Sequence, residues 1–172
     1  MSRSDLSRTA CTVARTIEIV GDVWALMVLR EMFLGTRRFD DLQHHTGASP
    51  HLLSRRLKRF EAEGIAKRRL YSEHPPRHEY RLTAKGRDLW PVIIALKGWG
   101  DQWLDRAEPL PVSLRHTRCG QTTQPVFVCS ACGDPIDATT AQAYLSDDMI
   151  RAREINKRTL SGGRSARPNH TG

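Results

Sequence analysis

The sequence has no apolar run near the roughly 18 to 20 residues that a membrane-spanning helix needs. Its first stretch, MSRSDLSRTACTVART, lacks the apolar segment of a secretory leader. A Gly-rich phosphate loop, an open-site zinc motif and a nucleophile–base spacing of the kind used in covalent catalysis are also missing. These gaps exclude a membrane-spanning helix and argue against secretion and against an enzyme. They point to the cytoplasm, where disulfides are uncommon. Cysteine is scarce, at four in 172 residues, so these four read as metal ligands, redox thiols or small buried hydrophobes. Acid is scarce too. Asp and Glu number 19 against 27 Lys and Arg, for a formal net charge of +8 and a pI near 9.9.

The excess charge is uneven. From His51 to Tyr71, seven Lys/Arg face two acids, a local excess of 7 − 2 = +5. A second excess lies in Arg151 to Gly172. Clustered positive charge implies nucleic acid or an anionic membrane face, or else a solvated basic surface. The stretch around which the chain is organised is Ser49 to Glu63, SPHLLSRRLKRFEAE, a basic amphipathic helix that alone could equally face a membrane or an acidic protein, so that its neighbours decide. Ser49-Pro50 is a helix start, because the Ser hydroxyl can accept an orphan N–H and Pro has none to lose. Leu53, Leu57 and Phe60 recur at i, i+4, i+7, an apolar stripe. His51, Ser54, Arg55 and Lys58 stand opposite, flanked by Arg56 and Arg59, and Gly64 stops the helix. One face suits a core and the other a groove lined by phosphates.

The flanking segments fit that role. Residues 1–10 are polar and read as a flexible terminus. Val13, Ile17 and Val20 space a first helix. Asp22 can cap a second, apolar all round from Trp24 to Leu34, as for a helix at the centre of a domain. Phe39 to His45 is a short third helix, and Thr46-Gly47-Ala48 turns into the Ser49 helix, a helix-turn-helix pattern. Ile65–Tyr71 and the alternating His78–Leu82 then form a hairpin, or wing, around a loop carrying His74 and Arg77. Thr83 caps a long helix to about Leu104, bent at Pro91. Its stripe of Leu89, Val92, Ile93, Leu96, Trp99 and Trp103 reads as a dimer interface, the alternative being the core of a monomer.

Taken together these segments resemble the HxlR-type, MarR-like winged helix-turn-helix transcriptional regulators, over about Cys11 to Asp105. The similarity rests on CTVARTIEIVGDVWALMVLREMFLG, RRFDDLQ, SPHLLSRRLKRFEAEGI, HPPRHEYRLTAKG and LWPVIIALKGWGDQW, in that order. One departure is Thr12, where members commonly have Pro. The resemblance implies a mainly α fold with a small β-hairpin wing (α+β), a long dimerisation helix and a homodimer on an inverted-repeat operator, one recognition helix per half-site. It also implies that Cys11 is a candidate redox sensor, since members often carry a Cys there. A small buried apolar role is the competing reading.

The chemistry of the surface follows. His51, Ser54 and Arg55 are best placed for base edges, and Arg can grip guanine in bidentate fashion. Arg56, Lys58, Arg59, Lys67, Arg68 and Arg77 complete the expected DNA-binding set, chiefly as phosphate ligands. Beyond the Pro109/Pro111 linker the composition changes. His116-x-x-Cys119-Gly and Cys129-x-x-Cys132-Gly flank a Pro125–Val128 strand, the spacing of a structural Cys3His zinc site holding one ion per chain. A redox pair at Cys129/Cys132 and a knuckle without metal stay open. The domains expected are thus 11–106, winged and dimerising; 112–150, Cys-rich; and 151–172, a disordered basic tail. Residues 137–150 read as a last short helix.

The function expected is a sequence-specific double-stranded-DNA regulator acting as a repressor. An oxidant at Cys11 could control it, or a small ligand between the long helix and the winged core near Trp24, Trp99 and Trp103. The alternative is a zinc-knuckle module for nucleic acid or protein without operator specificity. No membrane partner is expected, and the site of action is the cytoplasm, at the nucleoid.

Overall fold

The computed structural model describes residues 11–104 and 110–162, with side chains to Ile155. It divides into two compact units. One comprises residues 20–126; the other joins the residues up to Ile19 with those from Phe127 onward.

In residues 20–126, helix α1 (Thr12–Val20) ends and α2 (Val23–Phe33), α3 (Phe39–Thr46) and α4 (Pro50–Ala62) follow. Asp22 caps α2: its carboxylate Oδ1 accepts the N–H of Trp24 and of Ala25, each at 3.1 Å. Ala25, Val28, Leu29 and Met32 of α2 are buried, and so are Leu42 of α3 and Leu53, Leu57 and Phe60 of α4. The stripe expected from sequence is therefore the core, and truncating one of its leucines costs about 2–5 kcal/mol. The turn between α3 and α4 is built from small parts. The buried Thr46 hydroxyl donates to the Leu42 carbonyl at 2.6 Å and accepts the Ala48 N–H at 3.3 Å. Gly47 takes φ +71°, where a side chain would be strained. Ser49 caps α4 by accepting the Leu52 N–H.

Strands β1 (Ala66–Glu73) and β2 (Pro76–Leu82) pair antiparallel from Ala66↔Leu82 to Glu73↔Pro76, with an irregularity between Leu70 and Ser72. The wing is longer and its turn tighter than the sequence suggested. Arg38 bridges to Glu79, and the Tyr80 N–H donates to the Arg37 carbonyl at 2.8 Å, so the start of α3 edges the hairpin.

The long helix expected from Thr83 is two helices. Thr83 caps α5 (Ala84–Arg87), its hydroxyl accepting the Gly86 N–H, and α6 (Trp90–Trp103) begins afresh with Leu89 at its cap. Pro91 explains the break. Inside a continuous helix it would lack an N–H and its ring would strike the Arg87 carbonyl; in the first turn of α6 neither problem arises. The strands β3 (Leu114–Arg115) and β4 (Thr122–Thr123) close a small hairpin.

The strand expected at 125–128 does not form; in the other unit, Val128 makes a single bridge with Pro135. The terminal helix also lies later than expected, as α7 (Asp147–Gly162). Its start is set by Ser146, whose hydroxyl accepts the Met149 N–H, and by Asp147 and Asp148 in the positive first turn. Residues 151–162 are therefore helical, against the disordered tail expected. The flexible N-terminus expected at 1–10 and the rest of that tail fall outside the described residues.

Gly86 locks the wing to α5. A Cβ built there would stand 2.1 Å from the Ile65 carbonyl oxygen, which already accepts the Thr83 N–H at 2.9 Å. Gly86→Ala is expected to lower stability by about 3 kcal/mol, read as the shift of the urea midpoint, and an unchanged midpoint contradicts this close approach.

Candidate nucleic-acid interface

Helix α4 sorts its side chains into three rows, each repeating at i, i+4, i+7. Leu53, Leu57 and Phe60 are buried; Leu52, Arg56 and Arg59 are half-buried; His51, Arg55 and Lys58 are exposed. Ser54, half-buried, borders the exposed row. The outer row thus presents an imidazole, a guanidinium and an ammonium on one face, while the inner row holds the helix to α2 and α3.

Arg56 behaves differently from the phosphate ligand expected. Its side chain is 11% exposed and its Nε lies 3.1 Å from Asp22 Oδ1, itself 17% exposed. The contact is at ion-pair distance, but its angle falls outside hydrogen-bond geometry. The same oxygen that caps α2 therefore also pins α4. Arg59 and Arg68 also face carboxylates of the chain, the half-buried Arg59 at 3.5 Å from Glu63 and Arg68, which stays exposed, at 4.0 Å from Glu61. Lys67 and Arg77 are exposed on the wing, as is Arg69, which the sequence reading left out. Lys67 and Arg69 stand two residues apart on β1 and so share a face. Burial, with Glu61 nearby, raises the Tyr80 phenol above its ordinary pKa, so it stays neutral on the hairpin.

A second polar hub was also missed. Glu31 is only 5% exposed. It accepts Arg30 Nε and Nη2 at 3.0 and 2.6 Å and the Thr36 hydroxyl at 3.3 Å, and His45 Nδ1 lies 3.2 Å from its other oxygen. The carboxylate ties the end of α2 to the end of α3. Its sequence signal is a lone acid inside an apolar helix, where only a paired carboxylate is tolerated.

The dimer residues expected on α6 lie outward. Leu89 and Ile93 are half-buried, whereas Val92, Leu96, Trp99 and Trp103 are exposed, the last at 66%, and none of the helix is buried. Cys11, the redox candidate, is half-buried at the start of α1.

The Cys-containing segments fold into two turns of one pattern. In the first, the Gly120 N–H donates to the His116 carbonyl at 2.7 Å and the His116 N–H to the Gln121 carbonyl at 2.9 Å, with His116 Nδ1 3.2 Å from Cys119 Sγ. In the second, the Gly133 N–H donates to the Cys129 carbonyl at 2.8 Å and the Cys129 N–H to the Asp134 carbonyl at 2.7 Å. Both glycines have positive φ. Backbone N–H groups of Cys132 and Ala131, followed by the Cys132 thiol, lower the Cys129 pKa. Among the described residues, no three His, Cys, Asp or Glu side chains form a group that could hold a metal ion. Nor, among them, is any helix long and apolar enough to cross a membrane.

A helix-turn-helix whose second helix exposes a basic face, followed by a basic hairpin wing, defines a winged helix-turn-helix DNA-binding fold. Comparison with known proteins agrees. The pattern of the HxlR-like helix-turn-helix family matches residues 19–108. The chain is 44% identical over 140 residues to Rv3095, an uncharacterised HTH-type transcriptional regulator of Mycobacterium tuberculosis, covering 80% of this chain and 89% of that one. It is 40% identical over 97 residues to the regulator sll1512 of Synechocystis, covering 56% and 72%. Among solved structures, PA1607, described as a candidate transcription factor, superposes with a TM-score of 0.72 at 27% identity, over 83% of this chain and 99% of that one. The redox regulator HypR in its oxidised form gives 0.51 at 32%, over 56% and 99%. The chain belongs to the HxlR-like helix-turn-helix family of transcriptional regulators.

The neighbouring arginines of α4 have separable roles. Arg56→Ala is expected to lower the unfolding free energy by about 1–2 kcal/mol, because Asp22 loses its partner, while Arg55→Ala leaves it unchanged; equal urea midpoints for the two variants contradict the assignment.

Proposed function

We propose that the chain binds a specific double-stranded operator as a homodimer and represses from it. The observation that carries this reading is the outer row of α4. His51, Ser54 and Arg55 stand on the N-terminal half of a helix whose other side is fixed in the core, where base-edge contacts are made in this type of fold. Lys58, Lys67, Arg69 and Arg77 supply phosphate contacts around them. The exposed apolar face of α6 supports association with a second copy. Bulky apolar groups, Trp99 and Trp103 among them, stand in water on one helix, which a partner helix would cover. An inverted repeat would then match the two-fold axis.

Thiol control belongs to the same reading. HypR is a redox regulator, and Cys11 is this chain's candidate for such a switch. Zinc is a separate proposal. Each of the two Gly-closed turns offers two metal ligands in a tight loop, the local geometry that zinc sites use. This also keeps the alternative reading, an interaction module built on the knuckles, open to test.

Two measurements check the proposal. In gel shifts at fixed salt, Arg55→Ala is expected to lose at least tenfold in operator affinity while circular dichroism stays unchanged, the bidentate arginine contact being worth roughly 1–3 kcal/mol. Unaltered affinity sinks the assignment. Elemental analysis of chain purified under reducing, chelator-free conditions is expected to find about one zinc per chain; a small fraction of that rejects the metal.

A further inference from the structure

The two faces of the hairpin β1–β2 differ in charge. Residues directly opposite one another in an antiparallel pair share a face, and so do residues two apart on one strand. Arg38 bridges to Glu79, Glu79 pairs with Arg69, and Arg81 pairs with Lys67. Arg77, Glu79 and Arg81 alternate along β2. Arg38, Lys67, Arg69, Arg77 and Arg81 therefore stand on one face, with Glu79 as the acid among them. The other face turns to α4. There Ala66 is buried, and Arg68, opposite the half-buried Tyr80, lies 4.0 Å from Glu61.

Arg38 differs from the other cations of its face. Its guanidinium carbon lies 4.9 Å from the centre of the Tyr71 ring, within the reach of a cation–π contact. Its backbone is fixed by the bridge to Glu79 and by the Tyr80 N–H, which donates to the neighbouring Arg37 carbonyl at 2.8 Å. Glu79 is occupied elsewhere, since its Oε1 accepts Arg81 Nε at 2.6 Å. Arg38 makes none of the ion pairs seen among the described residues.

The stack carries the guanidinium across β2 to β1, the strand of Lys67 and Arg69, and so off α3, whose first turn holds Asp40 and Asp41. The ring covers one plane of the guanidinium and leaves its N–H edges open. Those edges are what grip a phosphate in bidentate fashion. A guanidinium already held in place also loses less freedom on binding than a free one. We propose that Arg38 is a further ligand for the phosphates of the bound duplex, and that Tyr71 is the positioning residue that holds it. This rests on the DNA-binding reading above and extends its contact surface from the wing to the start of α3. Arg38 adds affinity without sequence preference, because phosphates carry no base identity. Tyr71 acts through Arg38, by its ring face and not by its hydroxyl.

The test uses the full chain under reducing conditions and two probes, a duplex retained from a random library and a scrambled duplex of equal length. Affinities are measured by fluorescence anisotropy over a series of salt concentrations. The native chain is compared with Arg38→Gln, Tyr71→Phe, Tyr71→Leu and the double variant Arg38→Gln/Tyr71→Leu. Arg38→Gln is expected to weaken both duplexes by the same factor, roughly threefold or more, and to flatten the slope of log K against log salt by about 0.9, one phosphate contact. Tyr71→Leu removes no charge, yet is expected to weaken both duplexes roughly two- to fivefold, the range of an exposed cation–π contact. Tyr71→Phe keeps the native affinity, and Tyr71→Leu adds no loss once Arg38 is gone. Urea midpoints are recorded for every variant; if Tyr71→Leu unfolds, the salt slope of Arg38→Gln and the affinity of Tyr71→Phe decide. Unaltered affinity and slope in Arg38→Gln overturn the proposal and leave this face for an anionic partner other than DNA. A loss confined to the retained duplex overturns it too, and makes Arg38 a reader of bases. Additive losses in the double variant, or a loss in Tyr71→Phe, overturn the positioning role of Tyr71. A native chain that holds neither duplex overturns the DNA-binding reading as well, a result distinct from a native chain and an Arg38→Gln variant that bind alike.

Discussion

The carboxylate of Asp22 sets how this regulator presents its reading helix. One oxygen accepts two of the orphan N–H groups in the first turn of α2, those of Trp24 and Ala25, and stands at ion-pair distance from Arg56 in the middle of α4. Burial of Leu53, Leu57 and Phe60 supplies most of the energy that holds α4 in place. An apolar stripe, however, is tolerant of small rotations about the helix axis. A charged contact on the flank of that stripe is less so, because a rotation would pull apart two opposite charges that are mostly withdrawn from water. Together they fix the azimuth of α4 and so decide that His51, Arg55 and Lys58 point outward.

The basic surface is smaller than the composition implies, and sharper. Of the arginines around α4 and the wing, Arg56, Arg59, Arg68 and Arg81 each face a carboxylate of the chain. Arg55 and Lys58 on the helix, with Lys67, Arg69 and Arg77 on the wing, make none of the ion pairs seen among the described residues. Internal pairing therefore selects five cations on two adjoining elements. A groove-binding helix needs such a selection, since charge spread evenly would attract phosphate without orienting the protein on it.

Much of this was legible in the chain, for reasons that differ by element. The i, i+4, i+7 stripe of α4, its Ser-Pro start and its Gly64 stop are local signals, and the structure agrees with each. The rank of Arg56 was not read, although the signal was there: it sits three residues after Leu53 and four before Phe60, on the edge of the buried row. Its partner lies 34 positions away in sequence, and no local pattern reveals that. Glu31 was overlooked for the same reason, since its partners Thr36 and His45 come together only when α2 and α3 pack. At Pro91 the sequence predicts a bend in one helix; the structure resolves the conflict by restarting the helix at Trp90. The apolar triplet at 126–128 looked like a strand, but pairing needs a partner strand and only Pro135 is offered. In α7, by contrast, the Ser146 cap and the acids after it were local signals that a low-complexity basic tail obscured.

As proposed, α4, held by Asp22 and its apolar row, reads duplex DNA in a two-fold assembly. The most direct measurement is selection of bound duplexes from a random library by the purified full chain, with sequencing of what is retained. The expected result is enrichment of an inverted repeat whose half-sites are centred roughly 10–10.5 base pairs, or a multiple of that, apart. Retention without any enriched motif, or a motif with no two-fold symmetry, would contradict it.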